Sequence, residues 1–183
     1  MSFSLEGEAA TNAHWPVLQG RITPQAAFLG LASAVTAMIM IALMDQVVMP
    51  DPTGIQVGDA GGDRNGGSTN IILQLLHSSG STTAVALGLS NIVLGPITEE
   101  IVWRGLLIPT LALWYGLPSA LAVTSLAFGL FHLSPDQLPA LSLLGFSLGG
   151  SLVLARANLF APILGHILYN SFVFGSLLTE ALQ

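Results

Sequence analysis

"GLLIPTLALWYGLPSALAVTSLAFGLFHLSP", residues 105–135, contains no Asp, Glu, Lys or Arg. An uncharged stretch of that length exceeds the roughly 20 residues that cross a hydrocarbon core as helix. Similar uncharged runs occupy 22–44, 79–98, 137–155 and 157–179. None shows the two-residue alternation of a transmembrane strand, so helices rather than a barrel are expected. Composition agrees: the 183 residues are 52% hydrophobic and 8% charged, with a mean hydropathy of +0.73. Soluble domains carry about a quarter charged residues. The expected fold is all-α, a polytopic transmembrane helical bundle of about five membrane-spanning helices set in a lipid bilayer.

Residues 1–21 are polar and expected outside the membrane, with His14, Trp15 and Arg21 suited to the headgroup region. Residues 22–183 then form a single transmembrane domain. Its first span runs from about Pro24 to Met49. "DPTGIQVGDAGGDRNGGSTN", residues 51–70, consists of turn formers and reads as a Gly/Asp-rich loop. Asp59, Asp63 and Asn65 faintly resemble a calcium loop, but the acidic residue at its twelfth position is missing. After a short apolar piece at 71–77, a second apolar stretch runs from Ser81 to Tyr115, and Gly95-Pro96 is expected to kink or break it. Connections at Gly116-Leu117-Pro118, Ser134-Pro135-Asp136 and Arg156-Ala157-Asn158 separate three more spans. Counting crossings places Arg21 and Arg156 on one side and Arg64 on the other, which favours an inside N-terminus.

The net charge of −6 includes Glu6, Glu8, Asp51, Asp59 and Asp63, and no basic patch exists for nucleic acid. Cysteine is absent, which excludes disulfides, thiolate metal sites and cysteine nucleophiles. No basic region followed by an apolar core opens the chain, so a cleavable signal peptide is not expected, and the early glutamates argue against a transit peptide.

Against this apolar background, "GPITEEIVWRG" at 95–105 places two glutamates and an arginine inside a span. A carboxylate at the bilayer centre costs about 2.5–3.5 kcal/mol on insertion scales, so an intramembrane ionisable group is a functional hypothesis by default. Glu100 and Arg104 stand at i, i+4, the favourable orientation for an ion pair. Glu99 is rotated by about 100° from Glu100 and is less well placed for that arginine, which leaves it free for chemistry. "FGLFH" sets Phe128 and His132 at i, i+4, and "HILYN" does the same for His166 and Asn170. Singly, such a histidine or asparagine is more often a hydrogen-bonding link between helices. Together, six polar groups each carrying an insertion cost point to function. A sheltered carboxylate can act as general base toward water held between it and an imidazole. An imidazole and an amide donating to one point can stabilise a tetrahedral oxyanion. Glu99, His132 and His166 are equally a His2Glu set of the kind that binds catalytic zinc, so the cofactor stays open between a divalent metal such as zinc and none.

These three motifs, in this order on successive spans, resemble the CPBP (Abi) family of intramembrane proteases, related to type II CAAX prenyl endopeptidases. The resemblance covers about residues 90–175, and the connecting text is similar to the cyanobacterial and plastid branch. It implies that Glu99 activates the water, that Glu100 and Arg104 support it, and that His132 faces the water while His166 and Asn170 form the oxyanion site. It implies a peptide or protein substrate in the membrane, and location in a thylakoid, plastid or bacterial inner membrane. With a single span before the core, the chain is shorter than many such proteins.

Rival chemistries fit less well. "GFSLG", residues 145–149, matches Gly-x-Ser-x-Gly but lies within a span rather than on a strand-to-helix turn. Gly145 and Gly149 are more simply a small-xxx-small packing contact. A rhomboid-like serine protease has its His-x-x-x-Asn before its serine motif, the reverse of the order here. His-Glu-x-x-His is absent, and Asp45 and Asp136 fall at span ends, where they do not make an aspartyl dyad. Two further alternatives are a catalytically silent scaffold or assembly subunit of a larger, photosynthetic membrane complex, and a proton or ion pathway.

Overall fold

Ile108, Phe128, Leu144, Leu148 and Leu152 fill the interior of the later helices, while the first helix turns small residues inward and large apolar residues outward. The latter is the arrangement expected where lipid replaces water and burying apolar surface between helices gains little. The computed structural model describes residues 18–48 and 81–181. The 51–70 loop with its calcium-like residues, Arg64, the 71–77 piece and most of the polar N-terminal segment lie outside the described residues.

Helix α1 (Pro24–Val48) begins at a proline, whose missing N–H costs nothing in the first turn, and the Ala26 N–H is capped by Thr23 Oγ1 at 3.1 Å. The second helical rod comprises α2 (Ser81–Gly88), a wide turn at Leu89–Leu94, α3 (Gly95–Glu100), a second wide turn at Ile101–Leu107, and α4 (Ile108–Tyr115). Then follow α5 (Leu117–Phe131), a 3-10 turn at Pro135–Gln137, α6 (Leu138–Leu154) and α7 (Phe160–Ala181). With residues 81–115 counted as one rod, the five expected helices are present and no strand is formed among the described residues.

Their lengths are uneven. Pro24–Leu43, Val85–Tyr115 and Phe160–Thr179 are long and apolar enough to cross a membrane, whereas Leu117–Phe131 and Leu138–Leu154 are shorter apolar helices. The long uncharged run 105–135 is not one span. Gly116, at φ +76°, takes the left-handed conformation that suits glycine and divides the run between the end of the second rod and α5. The 15 residues of α5 reach only about 22 Å, against a core of about 30 Å. Short helices of this kind are accommodated by local thinning of the bilayer.

At one end of the bundle, residues before α1 run along the α6–α7 turn. The Gln19 N–H donates to the Ala157 carbonyl at 2.9 Å, the Leu159 N–H to the Gln19 carbonyl at 2.6 Å, and Asn158 Nδ2 to the Arg21 carbonyl at 2.8 Å. Arg21 and Arg156 therefore sit at the same end, in keeping with the count of crossings.

On α1, Phe28, Leu31, Val35, Ile39 and Leu43 stay exposed, while Ala26, Gly30, Ser33, Ala34 and Ala37 are buried. Gly30 and Gly165 make the contact between α1 and α7 close. A Cβ on Gly165 would meet Ser33 Oγ and lie 2.8 Å from the Gly30 carbonyl. Gly165→Ala is therefore expected to force α1 off α7 at a cost of about 1–3 kcal/mol, read as a lower melting temperature in detergent. On α6, a Cβ at Gly145 would stand 3.1 Å from Ser125 Cα and one at Gly149 2.8 Å from Leu121 Cδ2, so both glycines let α5 approach. Ser147, the serine of the Gly-x-Ser-x-Gly match, donates to the Ser33 carbonyl at 2.8 Å and links α6 to α1.

Candidate active site

Two prolines shape the rod that carries the glutamates. A mid-helix proline has no N–H, and its ring presses on the carbonyl four residues earlier. Here the turn before each proline is widened to a five-residue bond: the Gly95 N–H bonds the Ser90 carbonyl just before Pro96, and the Ile108 N–H bonds the Trp103 carbonyl just before Pro109. The wider turns absorb the rings, so the rod continues through Gly95-Pro96. Of the kink or break expected there, a break is not formed. Wide turns of this type gather at functional sites, and these two flank Glu99 and Glu100 directly.

Glu100 is fully buried and Arg104 nearly so. Arg104 Nη1 donates to Glu100 Oε1 at 2.8 Å, and Nη2 donates to the Gly145 carbonyl at 3.0 Å, which ties the rod to α6. The guanidinium lies over the Phe128 ring, 4.7 Å from its centroid, a cation–π contact in a setting without water. Phe128 is itself fully buried and meets Trp103 edge-on, with ring centroids 5.7 Å apart.

His166 joins this group from α7. Its Nδ1 lies 2.7 Å from Glu100 Oε1, while Nε2 lies 4.0 Å from Glu99 Oε2. Because Glu100 is an acceptor, the hydrogen of that bond sits on Nδ1, and in the neutral ring Nε2 is then a bare acceptor turned toward Glu99. The i, i+4 pair Glu100–Arg104 thus fixes both the tautomer and the tilt of an imidazole from another helix. Glu99 differs from its neighbour: its side chain is 36% exposed, yet Oε2 is buried without a hydrogen-bond partner. At 4.0 Å the gap to His166 Nε2 is too long for a direct hydrogen bond.

The structure brings Glu99, Glu100, Arg104 and His166 together, with Phe128 against them. Asn170 stands one turn beyond His166 on α7, and its Nδ2 donates to the Asn91 carbonyl at 2.8 Å. His132 caps the end of α5 and is exposed; its ring lies 4.8 Å from that of Phe128, and its Nδ1 meets the Phe128 carbonyl at 2.7 Å. Phe128 therefore lies between His132 and His166, whose ring centroid is 5.8 Å away. Asn91, Pro96 and the Gly145 carbonyl were not among the candidate residues. The sequence signal for the first two is a proline five residues after an asparagine, which has meaning only once the wide turn is seen.

A divalent metal would need Glu99, His132 and His166 as converging donors. Among the described residues, no group of three His, Asp or Glu side chains is placed to hold an ion. In this arrangement the donor set does not fit a metal, and no step below is routed through one.

The helical bundle thus carries a buried Glu–Arg–His cluster that faces a second, half-open glutamate. Residues 81–172 match the family model for type II CAAX prenyl endopeptidase Rce1-like proteins, and the chain belongs to this family. The matched range contains all three motifs, whereas α1 lies before it. No curated protein and no solved structure matches the chain. As a member of a peptidase family built on apolar helices, it is an integral membrane protein.

Proposed function

We propose that the chain is an intramembrane endopeptidase of the CPBP/CAAX-protease type, in which Glu99 activates the water. The observation that carries this reading is the His166 ring, held by Glu100 on one nitrogen and turned toward Glu99 on the other at 4.0 Å. A water between Glu99 Oε2 and His166 Nε2 has an acceptor on each side. In the reaction the water oxygen attacks the scissile carbonyl carbon while its proton passes to Glu99. The carbonyl oxygen becomes an oxyanion, which the Asn170 amide stabilises by donating a hydrogen, while Nε2 of the neutral His166 ring accepts the hydrogen bond of the attacking oxygen. Collapse breaks the C–N bond, and the proton on Glu99 goes to the departing amine. Glu100 and Arg104 hold the ring, and the exposed His132 lines the approach for water.

The likeness to the cyanobacterial and plastid branch supports a thylakoid, plastid or bacterial inner membrane as the setting, where leader peptides and transmembrane segments join prenylated C-termini as candidate substrates. The test is proteolysis in liposomes against prenylated and unprenylated peptides, with His166→Ala alongside and a chelator series. Cleavage by the wild type, lost in His166→Ala, is the expected result. Loss on chelation that zinc restores would bring a metal into the site. No cleavage of either peptide set by a folded protein that co-purifies with a larger complex would make it a scaffold instead.

A further inference from the structure

The bond between Asn170 and Asn91 has an origin in the backbone. Upstream of Pro96 the rod is wound in five-residue bonds, and the Gly95 N–H takes the Ser90 carbonyl. In that register the next acceptor is the Asn91 carbonyl and the next donor position is Pro96, which has no hydrogen to give. The Asn91 carbonyl is left over from its own helix. Within a bilayer such a group must be paired from elsewhere, and Asn170 Nδ2 pairs it at 2.8 Å. The Asn91 side chain does not do so: its own Nδ2 is spent on the Leu87 carbonyl at 2.8 Å, one turn back. What α7 reads from the rod is therefore a main-chain group, whose direction is set by helix winding rather than by a rotamer.

We propose that Pro96 is a positioning residue: by withholding an N–H it keeps the Asn91 carbonyl available to fix the Asn170 amide one turn from His166 on α7. This rests on the reading of Asn170 as an oxyanion donor. A primary amide has two hydrogens on one planar nitrogen. Once the first is anchored on Asn91, the plane is fixed and so is the direction of the second. Without the anchor the terminal torsion is broad and the amide turns. The bond also sets the register of α7 against the rod, and His166 is carried one turn away on the same helix.

Pro96→Ala isolates this effect, because alanine is the better helix former and restores the donor. A proline that merely shaped the helix would leave activity and stability moving together. The expected result, with the full chain in liposomes and a farnesylated CAAX peptide as probe, is a kcat lower by about tenfold to a hundredfold. KM should change little, and the melting temperature should be unchanged or raised. Asn170→Ala should lower kcat likewise, and the double variant should be no slower than Asn170→Ala alone, since both act through one bond. A second readout does not need turnover. In the NMR spectrum of nitrogen-15-labelled protein, the Asn170 side-chain amide, assigned by its loss in Asn170→Ala, should show one strongly deshielded proton that moves upfield in Pro96→Ala.

Full activity in Pro96→Ala beside an impaired Asn170→Ala would overturn the positioning role and leave the proposed function standing. Independent, additive losses in the double variant would overturn it too. If no protein cleaves either the farnesylated probe or unprenylated peptides, the functional reading fails, and the amide resonance alone decides: an unmoved resonance in Pro96→Ala overturns the inference, and a moved one sustains it.

Discussion

Glu99→Gln is expected to lower the cleavage rate by about 10²–10⁴-fold, the usual contribution of a general base, while the protein stays folded. Glutamine has the same shape and size but cannot take a proton from water at neutral pH. The fold has little stake in the charge. The Glu99 side chain is 36% exposed, and its approach to His166 Nε2, at 4.0 Å, is not a direct hydrogen bond. Initial rates and melting curves on the same preparation separate the two effects: a large fall in rate with an unmoved melting temperature is the expected pattern.

The opposite pattern is expected one helical turn away. Arg104→Met should destabilise the protein by about 3–5 kcal/mol, because it leaves a buried carboxylate without its counter-charge. Glu100 is fully buried and takes both the Arg104 and the His166 bonds on Oε1, while Oε2 has no partner. Removing the arginine also deletes the 3.0 Å link to the Gly145 carbonyl and the contact over Phe128. Arg104→Lys should rescue little, since an ammonium lacks the planar fork that serves a carboxylate and a carbonyl at once. The double change Glu100→Leu with Arg104→Met removes both charges together, and such replacements are often neutral or stabilising. It should recover much of the melting temperature and none of the cleavage, because His166 then loses the acceptor that orients it. Thermal melts and peptide cleavage on the three variants check this.

The helices and the polar set were legible because both are local in the chain. Uncharged runs mark the spans, and the i, i+4 spacing of Glu100 and Arg104 was enough to pair them. That Arg104 hydrogen-bonds Glu100 rather than Glu99 follows from a rotation of about 100° per residue. What was not legible depends on how helices turn against one another. The spacing of His166 and Asn170 puts them on one face, but no periodicity says that His166 meets Glu100 while Asn170 meets the rod one turn away. The partner of Asn170 is a main-chain carbonyl, and every residue has one, so only the register that Pro96 imposes singles out Asn91. Gly95-Pro96 reads as a kink or a break, and a break does not form because a turn wound one residue wider makes room for the ring. His132 lay within an apolar run, yet the chain turns at that point, which leaves the imidazole exposed at the end of α5.

The small-xxx-small reading of Gly145 and Gly149 needed only the sequence, whereas a second consequence needed the structure. By letting α5 close on α6, Gly145 stands where its own carbonyl reaches Arg104. A residue chosen for lack of a side chain thus takes part in the polar cluster through its backbone.

The most direct test of water activation by Glu99 is cleavage in oxygen-18 water by liposome-reconstituted wild type and Glu99→Gln, read by mass spectrometry of the peptide products. Wild type should release a product whose new carboxylate carries one heavy oxygen from solvent, and Glu99→Gln, equally folded, should release almost none. Undiminished labelled product from Glu99→Gln would show that another group activates the water and would contradict the assignment.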